Sequence, residues 1–142
     1  LGSNVQLNGK PLKALPTRDA VLPAIMLLAA AGDSVISTLV SALPQRFTHS
    51  DRIQNFATEK SQSIITQGKK DPAGLLAQLG FENAEIKRVD ETDGLRMTLV
   101  DERIIHLRPS GNAPELRCYA EADSYTQANE SVVKSLNNIQ KI

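Results

Sequence analysis

The 142-residue chain carries one cysteine, no tryptophan, two histidines and only 4% aromatic residues. A single thiol excludes a disulfide framework. Lys plus Arg and Asp plus Glu both number 16, so the formal net charge is zero. That balance, with few aromatic side chains, removes the general electrostatic case for nucleic acid or an anionic membrane. Any anion site must be local. The longest apolar run, Val21 to Ala31, is broken by Pro23 and falls short of the roughly 20 residues that span a bilayer. It reads as a buried helix. No charged segment followed by an apolar core marks a secretory leader, so the expected compartment is the cytoplasm.

What is present is a composition of 41% apolar and 23% charged residues, suited to one globular domain, or one domain with an appended segment. Such a chain buries about two thirds of the surface its unfolded form exposes. Leu1 to Pro16 reads as loop, with Asn8-Gly9 as a turn signal and Pro11 and Pro16 as punctuation. Thr17 or Arg18 starts a helix with Pro23 in its first turns, Gly32 closes it, and Asp33 is the expected N-cap of a second helix. Val35, Ile36, Leu39, Val40 and Leu43 give that second helix its apolar stripe, and Pro44 stops it. Gln45 to Phe56 reads as extended. Thr58 to Leu79 reads as one or two short helices broken by Gly68, Pro72 and Gly74.

After Gly80 the period changes from helical to alternating. Ala84 to Asp90 is the first expected strand, Asp93-Gly94 is a two-residue hairpin signal, and Leu95, Met97 and Leu99 alternate with polar neighbours. Asp101-Glu102 turns the chain again. Arg103, Ile105 and Leu107 then share one face, and Ile104, His106 and Arg108 the other. Leu116, Cys118, Ala120 and Ala122 oppose Glu115, Arg117, Tyr119 and Glu121 in the same way. Ser124 and Gln127 fit a capping box for a last helix with a stripe of Tyr125, Ala128, Val132, Leu136 and Ile139. The expected fold is α+β: an antiparallel sheet of about four strands covered by helices, preceded by a helical segment.

One stretch exceeds ordinary domain grammar: Arg108-Pro109-Ser110-Gly111-Asn112-Ala113-Pro114, between two strands. Gly111 permits positive φ or a close backbone approach, and the amides of Ser110 to Ala113 are able to form a concave nest for an anion. Arg108 adds a planar fork suited to phosphate oxygens, Ser110 and Asn112 add side-chain donors, and Arg117 borders the same place. These residue types are also what turns are made of, and composition alone favours the turn.

That stretch, followed by Glu115-Leu-Arg-Cys-Tyr-Ala-Glu121, resembles the phosphate-binding loop in the C-terminal domain of the α-D-phosphohexomutases, the phosphomannomutase and phosphoglucomutase family. Asp93-Gly94-Leu95-Arg96 is similar to the family's hairpin before that loop, and the helix after Ser124 to its terminal helix. Pro16 to Pro23 and the helix that follows resemble the last helix of the family's third, α/β domain. The resemblance implies residues 1–43 as the end of that third domain and residues 44–142 as the C-terminal phosphate-clamp domain.

It implies further that the chain is the last part of a four-domain, magnesium-dependent isomerase of carbohydrate metabolism. That enzyme moves a phosphoryl group between the 6- and 1-hydroxyls of a hexose through a phosphoserine and a hexose 1,6-bisphosphate. Arg108, Ser110, Gly111, Asn112 and Arg117 are the implied substrate-phosphate contacts. Many relatives have Thr-Glu where this chain has Asn112-Ala113, which makes Asn112 a less secure contact than Arg108. The family's Thr-Ala-Ser-His-Asn-Pro-like serine segment and Asp-x-Asp-x-Asp metal loop are absent from this sequence, so the chain alone is expected to be inactive, with no catalytic or metal residue of its own. The expected partners are a phosphorylated hexose and the N-terminal domains of the same polypeptide, with no nucleic acid and no membrane.

Mannose 6-phosphate and mannose 1-phosphate are the expected substrates; a phosphoglucomutase or phosphoglucosamine mutase would use the same clamp. A noncatalytic module binding a phosphorylated ligand, or a purely structural turn in an interaction domain, are the rival readings. A hinge is expected near Leu43 to Arg46. His49 reads as a surface or hinge residue, His106 as a structural histidine facing the Arg108 side, and Cys118 as an inert buried thiol. Asp90, Glu91 and Asp93 read as solvated turn carboxylates, and Lys69-Lys70-Asp71 as a polar helix end.

Overall fold

The computed structural model describes residues 4–7, 9–14 and 20–142. The chain divides into two compact units, residues 1–44 and 45–142. Asn8, Pro16, Thr17 and Arg18, read above as turn, punctuation and helix start, lie outside the described residues.

In the first unit the stretch expected as loop contains a small antiparallel hairpin, β1 (Val5–Leu7) and β2 (Lys10–Leu12), paired Val5 with Leu12 and Leu7 with Lys10. Pro11 lies inside β2, which a two-stranded ribbon tolerates because each strand has a free edge. Helix α1 (Val21–Ala31) holds Pro23 in its first turn, where no intrahelical N–H is needed, and ends at Gly32 with φ 56°, whose amide donates to Leu28 O at 3.2 Å. The next helix, α2 (Ile36–Ser41), starts later than expected: Val35, not Asp33, is its N-cap, without a side-chain cap. Ser34 N instead donates to Ala31 O in a turn that takes up Asp33. Val21, Leu27, Leu28, Val35, Val40 and Leu43 are exposed.

The second unit is a five-stranded antiparallel sheet with three helices. Its elements are β3 (Phe47–Gln54), α3 (Thr58–Lys70), α4 (Pro72–Gln78), β4 (Ile86–Asp90), β5 (Leu95–Leu99), β6 (Ile104–Pro109), β7 (Glu115–Ala122) and α5 (Tyr125–Ile139). The strand order is β3-β7-β6-β5-β4, a meander to which β3 adds an outer strand beside β7. This fifth strand is the one read only as extended, since Ile53 is its single buried residue and an edge strand shows little alternation.

All three helices cover one face. Leu95, Met97, Leu99, Ile105, Leu107, Leu116, Cys118 and Ala120 pack there against Ile64, Leu75, Leu76, Val132, Leu136 and Ile139. Each such Leu or Ile contributes about 1.5–3 kcal/mol by leaving water. Gly68 and Gly74, read as breakers, lie inside helices. A Cβ at Gly68 would sit 2.3 Å from Leu75 Cδ2, so this glycine lets α3 meet α4 and the sheet. At Gly74 it would meet the Asp71 carboxylate, which caps α4 by accepting from Gly74 N at 2.9 Å. Only Asp71-Pro72 breaks the run. Ser124 Oγ accepts from Gln127 N at 3.2 Å, as the capping signature requires. Ala128, Val132, Leu136 and Ile139 are buried, but Tyr125, assigned above to the same stripe, is exposed. As the first residue of α5 it lies over the sheet edge, its ring edge-on to His49 at 5.5 Å between centroids.

Candidate functional site

Because directly opposed residues of antiparallel strands project from the same face, register alone arranges the uncovered side of the sheet. Arg108 of β6 is opposite Arg117 of β7, and Arg117 is opposite Arg52 of β3. One row therefore carries three arginines. The next row runs Ser50, Tyr119, His106 and Arg96, ending opposite Asp90. Two carboxylates face the arginine row. Glu115, nearly buried, lies 3.5 Å from Arg52 Nη1 and 3.4 Å from Arg117 Nη2 on one oxygen, and Asp93 Oδ1 accepts from Arg108 Nε at 2.8 Å. Three guanidiniums against two carboxylates leave the row cationic.

Arg108 has the Tyr119 hydroxyl against it and then the Asp93 carboxylate, which together raise its pKa further above the ordinary arginine range. It is charged at any working pH. His106 Nε2 lies 2.5 Å from Asp93 O, so that nitrogen carries the proton, since a carbonyl only accepts. The His106 and Tyr119 rings lie 5.5 Å apart, tilted by 32°. A hollow of about 370 Å³ opens between Arg52, Arg117, Ser50, Asp51 and Tyr119, and one of about 480 Å³ beside it is lined in part by Arg96, His106 and Glu121. The somewhat larger hollow of about 500 Å³ near Phe81 and Lys134 lies away from the loop and holds no residue of the motif.

The loop after β6 closes on itself. Ser110 N donates to Glu115 O at 2.9 Å, Glu115 N to Ala113 O at 2.8 Å, and Phe56 N to Pro114 O at 2.8 Å. Asn112 N is 3.4 Å from Ser110 Oγ. Among the described residues the amides of Gly111 and Ala113 have no protein acceptor. Gly111 does not lie at positive φ, and a Cβ there would meet nothing within 4 Å, so neither backbone strain nor protein packing requires a glycine. The space that a side chain would enter there is open.

Arg108, Ser110, Gly111, Asn112 and Arg117 are thus gathered at one end of the open face, Arg108 and Arg117 as direct neighbours. The sequence reading missed Asp93 as the partner of Arg108, Glu115 as the shared partner of two arginines, and Arg52 altogether. Asp93-Gly94 did carry a signal, as the hairpin turn between β4 and β5. The three acidic residues of the β4–β5 turn separate in space. Asp90 accepts from Thr92 N, which holds its carboxyl below the usual range; Glu91 lies 3.5 Å from Lys69; Asp93 faces Arg108. Among the described residues no group of three His, Cys, Asp or Glu is placed to hold a metal ion. Cys118 is buried, which pushes its thiol up to about 12. No described helix is long and apolar enough to cross a membrane.

Comparison with known proteins places the same residues in context. The family described as "Phosphoglucomutase/phosphomannomutase, C-terminal domain" matches residues 54–136, more than half of the chain. A protein named phosphomannomutase from Salmonella muenchen is 53% identical over 140 residues, 99% of this chain, and another from Sinorhizobium fredii is 39% identical over 138 residues. A "Probable phosphoglucosamine mutase" from Methanosphaera stadtmanae is 28% identical over 94 residues, 65% of this chain and 19% of that protein. The chain spans 29% of the length of each phosphomannomutase. With the matched segment running from the end of β3 into α5, the chain belongs to the phosphoglucomutase/phosphomannomutase family, as its C-terminal domain.

Proposed function

We propose that the second unit is the phosphate clamp of a phosphomannomutase, and that it grips the phosphate that is not being transferred while the other end of the sugar reacts. The observation that carries this reading is the pairing of Arg108 with Arg117 beside a loop whose Gly111 and Ala113 amides have no protein acceptor. Arg108 supplies a fixed charge and a two-pronged fork; Ser110 and Asn112 supply side-chain donors; Gly111 supplies an uncovered amide; Arg117 deepens the positive field. This arrangement reads phosphate and not the sugar. Mannose is assigned from the names of the two phosphomannomutase relatives, and glucose or glucosamine phosphates would meet the same groups.

In the whole enzyme, residues 1–43 form the end of the third domain and residues 44–142 the clamp. The exposed apolar residues of α1, Val21, Leu27 and Leu28 among them, support packing against a part of the third domain that precedes this segment. The phosphoserine, the magnesium ion and the sugar-reading groups belong to the other domains of the polypeptide, with a hexose 1,6-bisphosphate as the reorienting intermediate and the cytoplasm as its compartment. The chain alone then binds a phosphorylated hexose without turning it over.

The test is Arg108→Ala in the full-length enzyme. Loss of one charge-assisted contact costs about 1.5–3 kcal/mol of binding, read as a raised KM for mannose 1-phosphate with an unchanged melting temperature. Unchanged kinetics would end the assignment.

A further inference from the structure

The tip of the β4–β5 hairpin is pressed onto the end of β6. Gly94 makes this approach possible: at φ 88° it sits where a Cβ would fall 2.3 Å from Leu107 O and 3.1 Å from Arg108 Cα. Two contacts hold the turn there. Asp93 O receives His106 Nε2 at 2.5 Å, and Asp93 Oδ1 receives Arg108 Nε at 2.8 Å. The turn thereby touches both outward-facing residues at the end of one strand, and Leu107 between them faces the core.

We propose that Asp93 is a positioning residue for Arg108, aiming its guanidinium so that the two Nη groups face the ligand; this rests on the phosphate-clamp reading above. A guanidinium offers two bidentate edges, one through Nε and one Nη, the other through both Nη groups. Asp93 occupies Nε and the Tyr119 hydroxyl lies against the same guanidinium, so the edge turned away from Asp93 is the one left for the ligand, shared with that hydroxyl. Arginine loses substantial rotamer freedom when it is held in one geometry, so a side chain already aimed binds phosphate more tightly than a free one. The pair is too exposed to serve stability: the Asp93 and Arg108 side chains are 60% and 42% accessible, and ion pairs of that kind contribute little to folding. A carboxylate beside a phosphate-binding arginine also lowers the local field, so its presence calls for an offsetting gain, and orientation is the gain that the geometry offers.

The experiment compares Asp93→Ala, Asp93→Asn and Arg108→Ala in the full-length enzyme, with mannose 1-phosphate as the probe. Asp93→Ala should raise KM about five- to thirty-fold, with kcat and melting temperature little changed. Asp93→Asn retains an acceptor for Nε and should fall between wild type and Asp93→Ala. In the Arg108→Ala background, Asp93→Ala should have no further effect. A wild-type or lowered KM in Asp93→Ala, with Arg108→Ala still damaging, would overturn the positioning role; a lowered KM would make Asp93 a competitor of the phosphate. Asp93→Asn as damaging as Asp93→Ala would also overturn it. If Arg108→Ala itself is silent, the clamp reading fails, and this inference fails with it. Asp93→Ala failing to fold would overturn the claim that the pair adds little to stability.

Discussion

Two glycines near the arginine row make opposite predictions from the same substitution. Gly94→Ala places a methyl group at φ 88°, where an L-residue costs about 1–2 kcal/mol. Against this stands about 0.4–1 kcal/mol gained by restricting the unfolded chain. The methyl would also lie 2.3 Å from Leu107 O, a backbone atom in the sheet beside a fully buried side chain. Relief requires the hairpin to lift from β6, an overpacking cost of about 1–3 kcal/mol. The sum is about 1–5 kcal/mol of lost stability.

Gly111→Ala meets nothing within 4 Å and carries no positive φ, so it should leave stability unchanged or raise it by a few tenths of a kcal/mol. If phosphate approaches the Gly111 amide, the added methyl should nonetheless weaken binding. Urea denaturation of the two variants, with a titration of mannose 1-phosphate followed by amide NMR from Arg108 to Arg117, separates the cases. A Gly94→Ala variant within 0.5 kcal/mol of wild type, on the scale of an inert surface change, would refute the close-approach argument.

Ser124→Ala removes the N-cap of α5 and should cost about 1 kcal/mol in the same denaturation experiment. Cys118 should resist iodoacetamide at pH 8 in the folded chain and react on unfolding, because burial keeps it protonated. The same shift makes a pH prediction. Its folded value of about 12 lies above the ordinary 8.5 or so, so the folded state retains a proton that the unfolded state loses. That contribution is complete below about pH 8.5 and is lost as pH rises toward 12; Cys118→Ser should flatten this alkaline decline in melting temperature. Asp101 has the opposite sign. The Arg103 side chain holds its carboxyl below the usual range, so its contribution is present above about pH 4 and fades as acid protonates it.

The strands that were legible from residue order are those with one face in the core. In β5, β6 and β7 every second residue is buried, and a period of two follows directly from the pleat. β3 has one buried residue in eight and yielded no more than an extended stretch. Asp33 shows the limit of capping rules, because its type fits an N-cap while the turn from Ala31 to Ser34 uses the chain before a helix begins. Arg46, at the end of the expected hinge segment, has its guanidinium on Glu121, Asp123 and the Glu102 carbonyl, all in the second unit. The loop motif was legible through its resemblance to the family's phosphate-binding loop, since composition alone favours a turn. Its partners were not, since Asp93 lies 15 residues before Arg108 and only register brings them together.

Register is also why the proposed clamp and the core are one construction. The apolar residues of β6 and β7 fix which residues oppose one another, because a shift by one position would turn every buried side chain to water. Leu107 opposite Cys118, and Ile105 opposite Ala120, are buried pairs. Once they are set, Arg108 must oppose Arg117 and His106 must oppose Tyr119 on the far face. Two like charges held side by side are unfavourable by themselves. They are maintained here by the inward-facing pairs and relieved in part by Glu115, which is shared by Arg52 and Arg117, and by Asp93 at Arg108. The stability of the sheet therefore holds in place a concentration of positive charge that the arginines would not adopt alone, and an arriving phosphate would find that charge already assembled.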